Sequence, residues 1–234
     1  MKRQHFLRIL AVTAFSAAAM APSHAQNFPN QAVKWIVPYA PGGTTDVIAR
    51  NLAVKMSQDL GQSVIVDNKP GAASIIGATA IARSAPDGYT VGTADSGTLA
   101  FNPAMYASLT YDANKDFTLI GGLGRMPLVL AVQPSFPAKD LKEFMAYVQK
   151  NPGKVTSASS GPGSPLHVAL ELFKQRSKTD ILHVPYKGSA PALQDLMAGQ
   201  VQAQSNPKWL RYSSISPDGK TVVFTYKGDL YTVP

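Results

Sequence analysis

Three short β-rich runs in this chain each end in a glycine- and hydroxyl-rich loop that opens directly onto a helical pattern, and a fourth does so more weakly. The clear loops are PGGTT (41–45), SSGPGS (159–164) and YKGS (186–189); the weaker one is DSGT (95–98). Strand, loop and helix in that repeating order argue for a parallel sheet covered by helices. They also place backbone N–H groups at helix starts, where anions bind, beside glycines that let a ligand come close. In open α/β sheets ligands sit at the carboxyl ends of the strands, where these loops lie.

Along the chain, 33–37, 63–66 and 89–94 read as strands. Between the first two, Ile48, Leu52, Met56 and Leu60 recur every four residues and predict a helix. Thr44 or Thr45 serves as its N-cap, Asp46 lies in the first turn where the helix dipole favours a carboxylate, and Gly61 follows its end. Residues 74–83 predict a small-residue helix, and Pro86-Asp87-Gly88 a turn. The second half repeats the grammar. Strands are expected at 117–121, 128–132, 154–157 and 181–184. Asp140 with Glu143 makes a capping box ahead of a helix with the stripe Leu141, Phe144, Met145 and Val148. Ser164 caps a helix that begins at Pro165 and turns Leu166, Ala169, Leu170 and Phe173 inward. A last helix carries Leu193, Leu196 and Met197 inward and stops at Gly199. The simplest account is two α/β lobes, 26–110 and 111–204. Beyond Gln204 the pattern becomes an all-β meander over 205–234, with strands at 209–216, 221–226 and 230–233 and turns at 217–220 and 227–229.

Composition removes several function classes. With 45% hydrophobic and 15% charged residues the chain is not intrinsically disordered. It has no Cys, hence no disulfide, thiolate nucleophile or Cys-based zinc site. The formal charge of +8 includes Lys2, Arg3 and Arg8. These precede an apolar run over 9–21 and a small-x-small site at Ser23-His24-Ala25, the pattern of a secretory signal over 1–25. The remaining Lys and Arg are scattered singly, which reads as solubility and not as a nucleic-acid patch.

Enzyme motifs are scarce. Neither a phosphate-binding G-x-x-x-x-G-K-[ST] nor a nucleophile elbow G-x-S-x-G occurs. Past the signal only His167 and His183 remain, too few for a zinc site without Cys, so no metal and no cofactor is expected. His167 lies one turn from Ser164; the two are a nucleophile and base, or a capping Ser and a cleft-facing His. His183, inside an apolar strand, reads as a hydrogen-bonded core residue. Asp46 either meets a ligand or only complements the helix dipole. Tyr39 and Tyr186 either line a cleft or pack under their loops.

The stretches VPYAPGGTTDVIAR (37–50), KPGAASIIGA (69–78), PDGYT (86–90), SSGPGSPLHVALELF (159–173) and HVPYKGSAPALQDLMAGQV (183–201) resemble the tripartite tricarboxylate transporter substrate-binding receptors, the Bug or TctC-like family. The resemblance runs from the signal to about Gln202. It implies a type II periplasmic-binding-protein-like fold of two lobes closing on a small carboxylate. It also implies a monomer without catalysis that delivers its ligand to a membrane permease. Carried onto this chain, the family's ligand loops give Tyr39, Gly42, Gly43, Thr44, Thr45, Asp46, Ser96, Thr98, Ser160, Gly161, Ser164, His167, Tyr186 and Lys187 as candidate binding residues. Family members continue for about a hundred residues beyond the position of Gln202, so the first lobe is expected to be incomplete. Residues 209–234 instead look like one blade of the propeller in tricorn-like proteases, and one blade alone cannot bury its faces. The resulting expectation is a truncated or chimeric receptor. The alternative is a fragment or fusion related to such a peptidase propeller, acting as an interaction module or a remnant.

Overall fold

Val33–Val37 (β1) is rich in β-branched and aromatic residues and is buried along most of its length, as suits the middle strand of a covered sheet. It runs parallel to Val64–Asn68 (β2) on one side and Thr90–Gly92 (β3) on the other, giving the order β2-β1-β3. Trp35 Nε1 donates to Thr93 Oγ1 at 2.8 Å, so the indole is buried without losing its hydrogen bond. The computed structural model describes residues 28–207, 214–215, 222–226 and 229–233; the expected signal at 1–25, the turns at 217–220 and 227–228, and residues 209–213, 216 and 221 of the expected tail strands lie outside them.

Thr44–Leu60 (α1) packs on this sheet. Its N-cap is Gly43, with no side-chain cap, so neither Thr44 nor Thr45 plays that part. The contact with Trp35 and Val37 is made by Ala49 and Ala53, while Leu52 is 37% exposed. Of the fourfold apolar repeat, Met56 packs against this core while Leu52 does not, so the repeat marks the helix but only part of its core face. Small side chains let the helix sit close to the bulky sheet residues. A turn of 3-10 helix at Ala72–Ser74 leads into Ile75–Ala82 (α2). Gly77 of α2 lies against Pro38, where a Cβ would stand 2.6 Å from Pro38 Cα and Cβ. Gly97–Phe101 is a π turn running into Asn102–Met105 (α3).

The second sheet contains Leu128–Val132 (β4), Thr156–Ser159 (β5), Leu182–Pro185 (β6) and Ala203–Pro207 (β7) in the order β4-β7-β5-β6. All its pairings are parallel except β4 with β7. Leu141–Lys150 (α4) and Pro165–Ser177 (α5) share the core of Phe136, Phe144, Val148, Val155, Leu170 and Ile181. Ser189–Met197 (α6) buries Ala192 and Leu196 against Ala158 and Val201. Successive strand side chains face opposite ways, so Ser157 and Ala158 of β5 turn to opposite faces of the sheet. Asp140 caps α4 by accepting from Glu143 N–H at 2.8 Å, whereas Glu143 reaches back to Lys139 N–H and not to the cap residue.

Three expectations are corrected. Leu141 and Met197 are exposed, each sitting at the end of its helix where the stripe runs past the sheet. Residues 117–121 are not a strand: 117–127 have no regular structure, and Ile120 is 86% exposed. An apolar run becomes a strand only where a neighbouring strand takes its backbone groups, and among the described residues none pairs with it. In the tail, Ser214–Ile215 (β8), Val222–Tyr226 (β9) and Asp229–Val233 (β10) pair antiparallel in the order β10-β9-β8. The described residues from Gln31 onward, with all of these sheets, fall in one compact unit.

Candidate functional site

Parallel strands deliver their carboxyl ends to one edge of a sheet, and the loops after β1, β2, β5 and β6 leave from such edges. These loops build one cleft of ≈ 670 Å³. It is lined by Tyr39 and Ala40 after β1, residues 71–74 after β2, 160–162 after β5 and 185–187 at the end of β6, with Tyr106 and Pro191. The N–H of Ala40 donates to the carbonyl of Lys187 at 3.2 Å, tying a loop of the first sheet to a loop of the second.

Of the candidate residues, Tyr39, Ser160, Gly161, Tyr186 and Lys187 meet at this cleft. Tyr39 is buried and its hydroxyl donates to Asp95 Oδ2 at 2.8 Å. Burial first, then the charge of Asp95 and the bond to it, raise its pKa well above the ordinary phenol value. Tyr186 donates to Asp195 Oδ2 at 2.6 Å, and burial, followed by that bond, pushes its pKa up to about 12. Both phenols thus stay protonated and held in place. Lys187 is exposed, and it is the one charged side chain among the described lining residues.

The other candidates lie behind the lining. The carboxylate of Asp46, 2% exposed, accepts from Gly42 N–H at 2.8 Å, Arg50 Nε at 3.0 Å and Asn68 Nδ2 at 2.8 Å. Burial pushes its pKa up, but the bonds from Arg50, Gly42 and Asn68 outweigh that and hold it below the usual carboxylate value. Gly43 packs under Ser189, where a Cβ would meet Ser189 Oγ at 3.1 Å. Thr44 is buried with Oγ1 unpartnered, and Thr45 is half-buried in the same turn of α1. Thr98 Oγ1 bonds with Ser74 Oγ at 2.8 Å, one layer behind the lining, and Ser96 is exposed just before the π turn. Ser164 Oγ accepts from His167 N–H at 3.3 Å as the N-cap of α5. The His167 ring is engaged elsewhere: its Nδ1 accepts from Gly163 N–H at 3.0 Å. No nucleophile–base contact joins the two. His183 bonds through Nε2 to Ser159 Oγ at 2.6 Å, as a hydrogen-bonded interior residue should.

The lining also contains a segment that the sequence reading passed over. Gly71, Ala72, Ala73 and Ser74 have φ values of +124°, +45°, +55° and +72°. A run of left-handed non-glycine residues costs roughly 1–2 kcal/mol each and persists only where the surroundings hold it. Here buried Asn102 does so, donating from Nδ2 to Ala73 O at 2.7 Å and to Ser74 Oγ at 3.3 Å. The available signal was Gly71 followed by Ala-Ala-Ser, side chains small enough for that conformation. Tyr106 had no local signal. Among the described residues, no three His, Cys, Asp or Glu gather as a metal site, and no helix is long and apolar enough to cross a membrane.

The sequence pattern of the family described as "Tripartite tricarboxylate transporter family receptor" matches residues 48–224. The chain belongs to the tripartite tricarboxylate transporter receptor family. The match passes Gln202 and enters the segment likened to a propeller blade. A UPF0065 protein of Bordetella pertussis is 38% identical over 201 residues, covering 86% of this chain and 62% of that protein. Among solved structures, a protein described as a periplasmic transporter has 48% identity and a TM-score of 0.75, with coverage of 76% of this chain and 60% of its own. An R. palustris protein solved with adipate has 36% identity and a TM-score of 0.75, covering 77% and 60%. MatC of Rhodopseudomonas palustris, solved with malate, has 37% identity and a TM-score of 0.73, covering 77% and 61%. This receptor-family chain therefore spans about three-fifths of the length of the relatives it matches.

Proposed function

We propose that this chain is an exported, periplasmic receptor that binds a small carboxylate in the cleft and passes it to a membrane permease, without chemistry of its own. The observation that carries this reading is the cleft itself. Loops from the carboxyl ends of strands in both sheets meet there and present glycine backbone, hydroxyls and a single ammonium group. That set suits an organic acid held by many neutral donors and one cation. The ligands named in the solved relatives, adipate and malate, are of this class. In this reading Tyr39, Ser160, Gly161, Tyr186 and Lys187 touch the ligand. Gly42, Gly43, Thr44, Thr45, Asp46, Ser96, Thr98, Ser164 and His167 hold the loops that carry them. The segments 26–110 and 111–204 act as the two jaws of a monomer, after a signal peptide is removed near Ala25.

Isothermal titration of the full chain with malate, adipate and citrate tests the reading. At least one should bind at about micromolar Kd, and Lys187→Met should weaken it by about tenfold. No heat with any of the three would overturn it.

A further inference from the structure

Two imidazoles that the carboxylate reading keeps off the ligand stack behind the loop between β5 and α5. The ring centroids of His167 on α5 and His183 on β6 are 4.2 Å apart, and the planes differ by 20°. His167 reaches the backbone of this loop directly and His183 reaches it through the Ser159 hydroxyl. His167 Nδ1 accepts from Gly163 N–H at 3.0 Å. His183 Nε2 bonds with Ser159 Oγ at 2.6 Å, and that oxygen accepts from Gly161 N–H at 3.1 Å. Gly161 and its neighbours Ser160 and Pro162 face the ligand space.

A ring nitrogen that accepts a hydrogen bond carries no proton. The bond from Gly163 therefore requires a bare Nδ1, which leaves the neutral ring's proton on Nε2, 3.9 Å from Glu171 Oε1. Protonation of His167 sets N–H against N–H, and the bond becomes a repulsion. The stack adds a second brake, since two imidazolium rings face to face repel. The other charged groups facing the pair are Glu171 and Lys174, both on α5. Glu171 favours the charged form and Lys174 opposes it, and the two are bonded to each other at 2.9 Å. From β5 the pair meets uncharged residues, Ser159 through its hydroxyl and Ser157 as the register partner of His183. Burial is the leading cause that keeps both rings below the ordinary imidazole value, His183 at about 4.

We propose that His167 and His183 form a proton-operated latch on the 160–163 loop: neutral, they hold it in its cleft-lining conformation, and protonation of His167 releases it. His167 is thus a positioning residue, and the step from loop release to ligand release rests on the receptor function proposed above.

The test is an NMR titration of the full chain from about pH 7.5 to about pH 4.5, following the Gly163 amide and the His167 ring. The two should titrate with one midpoint. In His167→Asn, whose side-chain oxygen can take the same N–H but does not ionise, the Gly163 amide should stay in place. A Gly163 signal that ignores pH in the wild type, or titrates equally in the variant, overturns the latch. The wild-type titration decides even if the variant fails to fold. In parallel, adipate affinity should fall over the same range about fivefold further in the wild type than in the variant. Protonation of adipate itself is common to both proteins and cancels. Equal falls overturn the latch, whereas a Gly163 amide that titrates with His167 while adipate binds at no pH supports it and counts against the receptor reading.

Discussion

Asp46 shows how one carboxylate can be buried, charged and still remote from a ligand. Three donors converge on it, from its own helix, from the loop before it and from β2. Asp46→Asn keeps the shape but loses the charge-assisted bonds, so the unfolding free energy in urea should fall by about 2 kcal/mol at neutral pH. A carboxyl whose pKa is lowered by folding contributes fully above its ordinary value of 3.8, and that contribution disappears as pH falls through the lowered value. The gap between wild type and variant should therefore close in urea titrations below that pH. The histidines act in a separate window. His183, held neutral by burial and then by His167, gives stability that is complete above 6.5 and declines as pH falls toward about 4. The wild-type urea midpoint should start to drop on that higher limb, before Asp46 titrates.

Among the elements, α2 sits close against the chain after β1 because Gly77 has no side chain. Gly77 has Pro38 backbone and ring where a Cβ would go, and Pro38 begins the loop that carries Tyr39 into the cleft. Gly77→Ala must push helix and loop apart, an overpacking cost of about 1–3 kcal/mol. Differential scanning calorimetry should show a lower Tm, and adipate or malate affinity should drop as well because Tyr39 shifts. An unchanged Tm would mean the helix slides freely over the loop. The caps behave more locally. Ser164 and Asp140 are each legible as an N-cap from a following Pro165 or Glu143, because a cap depends only on residues within one turn. At α1 the same reasoning chose Thr44 or Thr45 and the structure uses Gly43. There the start of the helix is set by the buried carboxylate of Asp46 drawing in Gly42.

For the molecule as a whole, residues 118–127, beyond the edge-on contact of Phe117 with Tyr111, stand exposed. They carry Leu119, Ile120, Leu123 and Met126 to the surface, between two well-packed sheets. Without ladder partners their amides should exchange with solvent close to the unprotected rate, while those of β1 and β5 stay protected; hydrogen exchange at neutral pH checks both.

Apart from β7 and the irregular run at 117–127, most of the strands and helices, all four glycine loops after parallel strands and the caps of α4 and α5 could be read along the chain. Each rests on interactions within a few residues: side-chain alternation, helical spacing and capping. What could not be read was which of the loop residues turn toward the ligand space. Tyr39 and Lys187 do and Asp46 does not, because Asn68 and Arg50 claim its oxygens first. The left-handed run at 71–74, its anchor Asn102 and the stacking of His167 on His183 were hidden for the same reason. These pairings join residues from 16 to 29 positions apart, whose proximity depends on how helices settle on their sheets and not on any local preference.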